Sequence, residues 1–475
     1  MRILMVSSEA APFVKTGGLA DVVGSLPAAL QELGDEVVVV LPRYRVAAIA
    51  ESQRIWHTMP LWVGPHPFWV AIDQVVRNGV RYLFVDCPPL FDRAGIYDDW
   101  GWGYGDNHIR FGLLCQAALG IARSIFKTDV FHAHDWHAGL LAPYLKSTFA
   151  GDPTFQGAKS VFTIHNLGYQ GNFGGDTRWD LGLGDSVYHA EGLEFWGKVS
   201  FLKAGIVFSD AVTTVSPTYA HEIQRPEYGF SMDGVLRAHA GKLTGILNGV
   251  DYDEWNPETD PFLPAHFSAA DLTGKSACKL ALMDELGLLH RPGFDAARPV
   301  IGIVSRFAEQ KGFDLVAFVL DWLAHSEATL AVLGSGDPRF EEMFSFFAAA
   351  YPERFGVRIG YDNALAHRIE AGADMFLMPS AYEPCGLNQI FSLRYGALPI
   401  VRATGGLEDT VDETTGFKFN DYTWEALQGT IQWALDAFQD QEAWTARIQF
   451  GMAKDFSWRA SARKYQELYR SLLGG

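Results

Sequence analysis

The 475-residue sequence has few cysteines, a deficit of basic residues and no long apolar run, and each shortage excludes a class of protein. Its four cysteines lie far apart without a CxxC pair, which argues against a disulfide framework or a cysteine-rich zinc site. Lys and Arg total 38 against 56 Asp and Glu, a net charge of −18 that disfavours nucleic acid as a partner. No stretch of about 18 apolar residues is available to span a membrane.

The N-terminus carries no pattern of a secretory signal. Residues Met1–Val6 already have the composition of a buried strand, and no charged leader or small-residue cleavage site precedes them. So acidic a chain also suits neither an anionic membrane surface nor, at first sight, an anionic small substrate. We therefore predict a cytoplasmic protein without a membrane partner.

Short apolar runs alternate with amphipathic segments in the first half of the chain. This alternation predicts an α/β fold with a parallel, doubly wound sheet. The predicted strands are Ile3–Val6, Val37–Leu41, Val80–Val85, Val130–His134, Ser160–His165 and Ala211–Val215, and the predicted helices are Leu19–Leu33, Asn107–Phe126 and Glu194–Phe208.

The rhythm breaks between Asn248 and His290, where proline-rich turns occur, and then restarts. We predict two Rossmann-like halves joined by a hinge at 248–292, with ligand-binding loops at the carboxyl ends of the strands. The later predicted strands are Val300–Ser305, Thr329–Leu333, Asp374–Met378 and Leu398–Val401, and the later helices are Leu387–Tyr395, Trp424–Phe438 and Trp458–Leu473.

Two similar glycine-rich loops each follow a predicted strand. Residues 16–23 read TGGLADVV and residues 404–411 read TGGLEDTV. Paired glycines let a ligand approach the backbone, and the helix that follows presents amide groups to an anion. Lys15 adds a cation to the first loop, which predicts a phosphate site; an ordinary strand-to-helix turn is the alternative. Neither loop has the spacing of a P-loop or of a dinucleotide fingerprint.

Two further loops at strand ends carry charged side chains. Arg306 and Lys311, in the segment 305–312, can bind phosphate, although a solvated arginine paired with a carboxylate is equally compatible. Glu383, in the segment 380–389, can face a sugar or can simply complement a helix dipole. We expect Cys385 to be a packing residue because nothing favours a thiolate.

Histidines mark the ends of two other strands. The run His132-Ala133-His134-Asp135-Trp136-His137 resembles a metal-binding pattern but has the wrong spacing, so we predict no metal there and a strand end that projects His134 and Asp135 into a cleft. His165 can donate a hydrogen bond to a sugar hydroxyl or can be a satisfied structural histidine.

In combination, the motifs KTGGLADV, HAHDWHAG, TIHNLGYQG, NGVDYDEWNP, SRFAEQKG, EPCGLNQ and ATGGLEDTV resemble those of bacterial glycogen synthases and plastid starch synthases. The resemblance runs nearly end to end with every motif in order. It implies a GT-B fold, in which two Rossmann-like domains face each other across a cleft. The implied divisions are an N-terminal acceptor-side domain at 1–250, a C-terminal nucleotide-sugar domain at 251–456 and a closing helix at 457–475.

The resemblance also implies an activity. It is glucosyl transfer from ADP-glucose to the non-reducing 4-hydroxyl of an α-1,4-glucan, elongating glycogen, with retained anomeric configuration and neither metal nor cofactor. The implied catalytic residues are Glu383, His165, Asp135, Arg306 and Lys311. The implied substrate contacts are Lys15, Gly17, Gly18, Asp21, Tyr97, Asn166, Asn248, Tyr361, Cys385, Gly386, Leu387, Asn388, Thr404, Gly405, Gly406 and Leu407.

Within these assignments Asp21 reaches the ribose and Tyr361 stacks near the adenine. One position departs from related transferases, which carry a second acid eight residues after the first; here it is Phe391. A retaining glycosidase mechanism needs two carboxylates about 5 Å apart, so we favour front-face substitution. The alternatives are a GT-B transferase that uses UDP-glucose and a non-catalytic glucan-binding protein; a phosphorylase is disfavoured because no pyridoxal-binding lysine context is present.

Overall fold

The computed structural model describes residues 1–49, 51–99 and 101–474, which divide into two compact units. The first unit comprises Met1–Gly249 and the chain from Trp458 onward, and the second comprises Val250–Ser457. The helix at the end of the chain belongs to the first unit because its Tyr465 and Tyr469 lie in that unit's core. No helix among the described residues has the length and apolarity to cross a bilayer.

The first unit is built on a nine-stranded sheet. Its strands and those of two small accessory sheets are β1 (Arg2–Val6), β2 (Glu36–Pro42), β3 (Gln53–Val63), β4 (His66–Arg77), β5 (Val80–Asp86), β6 (Asp98–Asp99), β7 (Trp102–Gly103), β8 (Val130–His134), β9 (Lys159–Ile164), β10 (Asn172–Gly174), β11 (Glu194–Phe195), β12 (Lys198–Ser200), β13 (Ala211–Thr214) and β14 (Leu243–Gly245). The order is β14-β13-β9-β8-β1-β2-β5-β4-β3. Seven strands are parallel, and β4 and β3 add an antiparallel hairpin at one edge.

The second unit contains a six-stranded, fully parallel sheet. Its strands are β15 (Val300–Phe307), β16 (Thr329–Gly336), β17 (Phe355–Ile359), β18 (Met375–Met378), β19 (Leu398–Arg402) and β20 (Phe417–Phe419). They occur in the order β17-β16-β15-β18-β19-β20. This is the Rossmann order, in which consecutive strands run outward in opposite directions from the first strand. The first unit repeats it, with β2 on one side of β1 and β8 on the other.

The α-helices pack on both faces of the sheets or link their strands. In chain order they are α1 (Gly18–Glu32), α2 (Pro88–Phe91), α3 (Asn107–Ser124), α4 (Leu141–Lys146), α5 (Thr177–Asp180), α6 (Phe201–Phe208), α7 (Pro217–Glu222), α8 (Asp233–Ala238), α9 (Thr273–Glu285), α10 (Phe313–His325), α11 (Pro338–Ala350), α12 (Asn363–Gly372), α13 (Asn388–Arg394), α14 (Gly405–Thr410), α15 (Trp424–Phe438), α16 (Gln441–Met452) and α17 (Trp458–Leu473). Short 3₁₀ turns occupy Trp136–Ala138, Pro153–Phe155, Ala240–Lys242 and Glu309–Lys311.

Buried apolar runs explain why the parallel strands were predictable. Val37, Val39 and Leu41 of β2 lie in the first core with Leu26 and Leu30 of α1. Strands covered by helices on both faces are apolar along their whole length, which is the pattern the sequence shows.

One predicted helix is wrong in its start, and two further elements were not predicted. The predicted helix Glu194–Phe208 begins at Phe201, because residues 194–200 form β11, β12 and a turn in which Trp196 and Gly197 both have positive φ. The helix α9 lies within the segment 248–292 and packs in the second unit through the buried Cys278 and Leu282; the role of this segment as a hinge stays a prediction. The hairpin β3–β4 was not predicted because its interrupted alternation carries irregular register shifts.

Candidate functional site

The switch point of each sheet is where a doubly wound fold binds its ligand, at the carboxyl ends of the two strands whose connections diverge. In the first unit these strands are β1 and β8, and in the second they are β15 and β18. Most of the charged side chains that the sequence predicts as functional follow these strands.

A buried carboxylate holds the loop that follows β1. Glu9 accepts hydrogen bonds from the amide of Thr16, from its hydroxyl at 2.7 Å, and from the hydroxyl of Tyr97. The Tyr97 hydroxyl also lies 2.7 Å from the Ser8 hydroxyl, and burial with the nearby Glu9 raises the pKa of Tyr97 well above its ordinary value. The hydroxyl of Tyr97, expected to contact substrate, is therefore engaged in fixing the loop. The sequence pattern does not single out Glu9, although its position directly after β1 is a usable signal.

The glycine pair at the start of α1 lies beside empty space. A Cβ added to Gly17 or Gly18 meets no atom within 4 Å, and Gly17 has an extended φ of −161°. Neither packing nor backbone conformation therefore requires glycine here, and the open space leaves room for the close approach of a ligand. Lys15 Nζ lies 2.6 Å from Asp21 Oδ1, and the Lys15 side chain remains exposed. This loop has the features of an anion site at a helix start.

Asp135 combines backbone strain with burial. Its φ of 56° and ψ of 179° fall in a region that is almost restricted to glycine, so the surrounding structure must enforce this conformation. Its Oδ1 accepts the amide hydrogen of His165 at 2.8 Å. Burial raises the pKa of Asp135 to about 7, against the opposing effect of the His165 and Asn166 amides. Strain and a displaced pKa in one carboxylate at a switch point are typical of a functional group.

His165 presents a neutral imidazole. Its Nε2 lies 3.0 Å from Nδ1 of His134, and burial lowers the pKa of His165 to about 3 and that of His134 well below its ordinary value. His134 Nε2 is buried without a partner among the described residues. A buried nitrogen without a partner is tolerated better as an acceptor than as an N–H donor. We therefore assign the His134 proton to Nδ1, which leaves His165 with an Nδ1–H that can donate to a ligand.

The other histidines of this region have structural contacts. His132 contacts the hydroxyl of Thr163 at 2.6 Å and that of Tyr469 at 2.8 Å, and His137 stacks on Tyr97 with ring centroids 4.6 Å apart. In the part of the chain that the structure describes, no group of three His, Cys, Asp or Glu residues could hold a metal ion.

Two asparagines of the first unit were also expected to contact substrate. Asn166 Oδ1 accepts the amide hydrogen of Gly168 at 3.0 Å, so part of its side chain shapes the turn after β9. Asn248 is buried, and its Oδ1 has no partner among the described residues. Its role in binding stays a prediction.

In the second unit the loops after β15 and β18 meet through a buried ion pair. Lys311 Nζ lies 2.6 Å from Glu383 Oε2, which also accepts the Ser380 hydroxyl at 3.0 Å. The Glu383 side chain is 7% exposed and the Lys311 side chain 22% exposed. The structure thus joins two residues that the sequence placed in separate motifs. Since an ammonium has three donors, Lys311 can hold Glu383 and still bind a phosphate.

Arg306 lies at the end of β15 and is exposed. Its guanidinium has no ion pair or hydrogen bond within residues 1–49, 51–99 and 101–474. An arginine that has no partner breaks no existing contact when it binds a ligand. Its planar guanidinium can donate two hydrogen bonds to one phosphate. The site geometry therefore supports the phosphate role predicted for Arg306.

The start of α13 offers unsatisfied amides. The backbone N–H groups of Gly386, Leu387 and Asn388 have no hydrogen-bond acceptor among the described residues. Gln389, which is fully buried, fixes the chain behind them, because its Nε2 donates to the carbonyls of Cys385 at 3.1 Å and Gly386 at 3.2 Å. Gln389 was not predicted to be functional, and nothing in its local pattern distinguishes it from an ordinary helical residue.

The second glycine pair has different surroundings from the first, and its contact with a ligand stays a prediction. A Cβ on Gly405 would lie 1.9 Å from the carbonyl oxygen of Glu383, and one on Gly406 would lie 2.0 Å from that of Cys385. The Gly406 amide donates to the Glu383 carbonyl at 3.1 Å, and the Leu407 amide to the Thr404 carbonyl at 3.1 Å. These amides already have acceptors within the protein. The segment 404–407 therefore supports the backbone of the Glu383 loop.

The contrast between the glycine pairs yields a prediction. Gly17→Ala and Gly18→Ala should leave the free energy of unfolding unchanged or slightly raised, since their Cβ atoms enter open space, yet should raise KM for the nucleotide ligand. Gly406→Ala should lower the free energy of unfolding by about 1–3 kcal/mol or more through overpacking. Urea unfolding and steady-state kinetics on the same samples check this. Equal destabilisation by both sets would refute the distinction.

Tyr361, expected to stack near a nucleobase, follows β17 and is 89% exposed. Its hydroxyl lies 3.5 Å from Asn363 Oδ1. Phe391, at the position of the missing second acid, is a packing residue whose ring stacks on Trp255 with centroids 3.8 Å apart.

Two domain families match the chain. Residues 2–238 match the starch synthase catalytic domain, and residues 290–449 match the glycosyl transferases group 1. The fold of the sucrose-phosphate synthase from Thermosynechococcus elongatus is similar, with a TM-score of 0.61 at 18% identity, over 100% of this chain and 99% of that one. Both Rossmann-like sheets that the GT-B resemblance implies are present.

Closer relatives match over their whole length. The glycogen synthase of Koribacter versatilis is 48% identical over 99% of this chain and 98% of its own length, and that of Myxococcus xanthus is 48% identical over 100% of both. The catalytic domain of Arabidopsis thaliana starch synthase IV, solved with ADP and acarbose, has a TM-score of 0.89 and 32% identity over 100% of this chain and 99% of its own. The resemblance of the sequence motifs is thereby confirmed, and the chain belongs to the glycogen and starch synthase family of glycosyltransferases.

Proposed function

We propose that this protein transfers glucose from ADP-glucose to the non-reducing 4-hydroxyl of an α-1,4-glucan, with retention of configuration and without a metal. The Glu383–Lys311 pair, followed in the chain by three amides that have no acceptor in the described part of the protein, is the observation that carries the proposal. A carboxylate, a cation and free N–H groups in neighbouring loops at a switch point support the binding of a sugar attached to a diphosphate. The glycogen synthase relatives support the glucan as acceptor.

The second unit supplies the donor diphosphate site in this proposal. Arg306 and Lys311 neutralise the charge that develops on ADP as the glycosidic bond breaks, and the amides of Gly386, Leu387 and Asn388 contribute fixed dipoles. Groups that act on developing charge stabilise the transition state more than the ground state. The net charge of −18 does not oppose this, because exposed charges are screened beyond about 8 Å at physiological salt.

Replacing Arg306 tests this assignment. Arg306→Ala should lower kcat/KM for ADP-glucose by about 10²-fold or more, because it removes a charge-assisted bond to the leaving group. Arg358→Ala, which removes an exposed arginine of β17, serves as the matched control and should remain near wild type. Comparable kcat/KM values in the two variants would contradict the phosphate role of Arg306.

The first unit supplies groups for the glucosyl residue. We assign the neutral His165 Nδ1–H to a sugar hydroxyl, with Asn166 beside it, and Asp135 to the reacting centre. Lys15, Gly17 and Gly18 contact the donor, and Asp21 reaches the ribose. Because the Phe391 position offers no second carboxylate, the leaving phosphate assists deprotonation of the incoming hydroxyl in a front-face substitution. A stable glucosyl adduct on Asp135 or Glu383 during turnover, detected by mass spectrometry, would refute this mechanism.

Donor competition separates the proposal from its alternatives. With ADP-, UDP- and GDP-glucose at equal concentration, we expect glucose to enter glycogen from ADP-glucose. Preferential use of UDP-glucose would favour the other GT-B class, and binding of glycogen without any transfer would favour a non-catalytic glucan-binding protein. We propose a cytoplasmic location, in keeping with four cysteines that lie far apart in the sequence without a CxxC pair.

A further inference from the structure

The hairpin β3–β4 at the edge of the nine-stranded sheet has one covered and one uncovered face. Met59, Leu61 and Val63 of β3 are buried. They pack against α3, since a Cβ on Gly112 would touch Val63 and one on Gly120 would touch Met59 and Leu61. The opposite face carries residues of the other parity, and these point away from α3.

Two tryptophans and two prolines occupy this outer face. Pro60 of β3 is opposite Trp69 of β4, and Trp62 of β3 is opposite Pro67 of β4. Residues directly opposite share a face, so the four side chains form one patch, which we call the hairpin platform. The tryptophans are diagonal neighbours, with Cα atoms about 7–8 Å apart. Trp62 is 56% exposed and Trp69 is 64% exposed.

The tryptophans of the platform have few partners in the protein. Within the described residues neither ring contacts another aromatic ring or a cation, and neither indole N–H has a hydrogen-bond acceptor. A single exposed apolar residue is ordinary, but two adjacent tryptophans on an uncovered sheet face indicate a binding surface. Since the stacking faces and both N–H donors are available, the platform can bind a flat ligand that carries hydroxyl groups.

Charge identifies the class of ligand. None of the four platform residues is ionisable, and the charged residues farther along the hairpin, Arg54 and Asp73, form an ion pair with each other. An uncharged platform on a chain of net charge −18 offers nothing to an anionic partner and no repulsion to a neutral polymer. The apolar faces of pyranose rings stack on indoles, and sugar hydroxyls accept from their N–H groups.

We propose that the hairpin platform is a second carbohydrate site, at which Trp62 and Trp69 bind neighbouring glucose units of an α-1,4-glucan. This inference rests on the proposed function for the identity of the polymer. A chain bound at the platform keeps the polymer attached to the enzyme between transfer steps. The effect is multivalent, so it strengthens the binding of a long glucan and leaves a short oligosaccharide unaffected.

Binding without donor tests the proposal. We compare wild type, Trp62→Ala/Trp69→Ala and Trp62→Tyr/Trp69→Tyr by electrophoresis through gels that contain glycogen. Phe450→Ala, which removes a 61% exposed ring in the second unit, is the control. The alanine pair should bind glycogen about tenfold more weakly, whereas the tyrosine pair and the control should bind nearly as wild type does. In transfer assays the alanine pair should show a raised KM for glycogen with unchanged kcat and KM for maltotriose.

These experiments distinguish failure of the platform proposal from failure of the proposed function. If wild type binds glycogen through the platform but transfers no glucose, the platform stands and the proposed function fails. Unchanged glycogen affinity in the alanine pair overturns the platform. So does a wild-type dimer that the alanine pair dissociates while glycogen binding persists, because the platform would then contact a second copy of the chain.

Discussion

Replacing Glu383 by glutamine is expected to abolish most glucose transfer while leaving ADP binding close to normal. Glutamine has nearly the same shape, so the contact from the Ser380 hydroxyl can persist, but the negative charge beside Lys311 is lost. If Glu383 stabilises positive charge on the reacting sugar, kcat should fall by about 10²–10³-fold, the range observed for single electrostatic groups in active sites. Initial rates at saturating ADP-glucose and calorimetric titration with ADP measure the two effects separately.

A matched variant distinguishes chemistry from disruption of the ion pair. Glu383→Gln leaves Lys311 without its carboxylate, whereas Lys311→Met in the same background removes that unpaired cation. The double variant should recover thermal stability but not activity. A Glu383→Gln enzyme with kcat near wild type and weakened ADP binding would show that the carboxylate serves to bind the donor.

Substitution of Asp135 should separate activity from stability. Asp135→Gly removes the carboxylate and also the unfavourable backbone conformation, whose cost is about 1–3 kcal/mol. The variant should lose most activity yet resist unfolding better than wild type at neutral pH. Asp135→Asn is the control because it loses the charge but retains a Cβ in the same backbone conformation.

The stability of the protein should depend on pH through the ionisation of Asp135. The folded pKa of Asp135 is about 7, above the unfolded value of about 3.9, so the folded state holds a proton that the unfolded state releases. The contribution of this group to stability is therefore present below about pH 4 and is lost as the pH rises to about 7. In urea unfolding, the free energy of unfolding of Asp135→Asn relative to that of wild type should be higher at about pH 8 than at about pH 5. An equal difference at both values would refute the raised pKa.

Activity should rise with pH over the range in which the stability contribution of Asp135 is lost. If ionised Asp135 acts at the reacting centre, kcat/KM of wild type should rise with pH around about 7, as the carboxylate forms. The residual kcat/KM of Asp135→Asn should not show this rise with pH.

The sequence predicts the framework well because the framework depends on simple periodicities. The parallel strands are covered on both faces, so β1, β2 and β15 are continuous apolar runs with clear boundaries. The hairpin β3–β4 escapes prediction because one face is covered and the other solvated, and register shifts break its alternation.

The candidate site, like the fold, is predictable from the sequence only in part. Lys311 and Glu383 are predictable because each follows a strand and sits in a recognisable motif, but only the sheet order reveals that they form a pair. The equivalence of the two glycine pairs fails because identical letters, TGGL, lie beside open space in one unit and beside the carbonyls of Glu383 and Cys385 in the other. Glu9 and Gln389 contact near neighbours in the sequence but also the distant Tyr97 and Thr410, and these contacts depend on burial, which local pattern does not specify.

The central claim is best tested by incorporation of labelled glucose from ADP-glucose into glycogen, measured in parallel for wild type and Glu383→Gln. We expect α-1,4-linked label at non-reducing ends with wild type, far less label with the variant, and no requirement for added divalent cations. Equal incorporation by wild type and Glu383→Gln, or transfer from UDP-glucose alone, would contradict it.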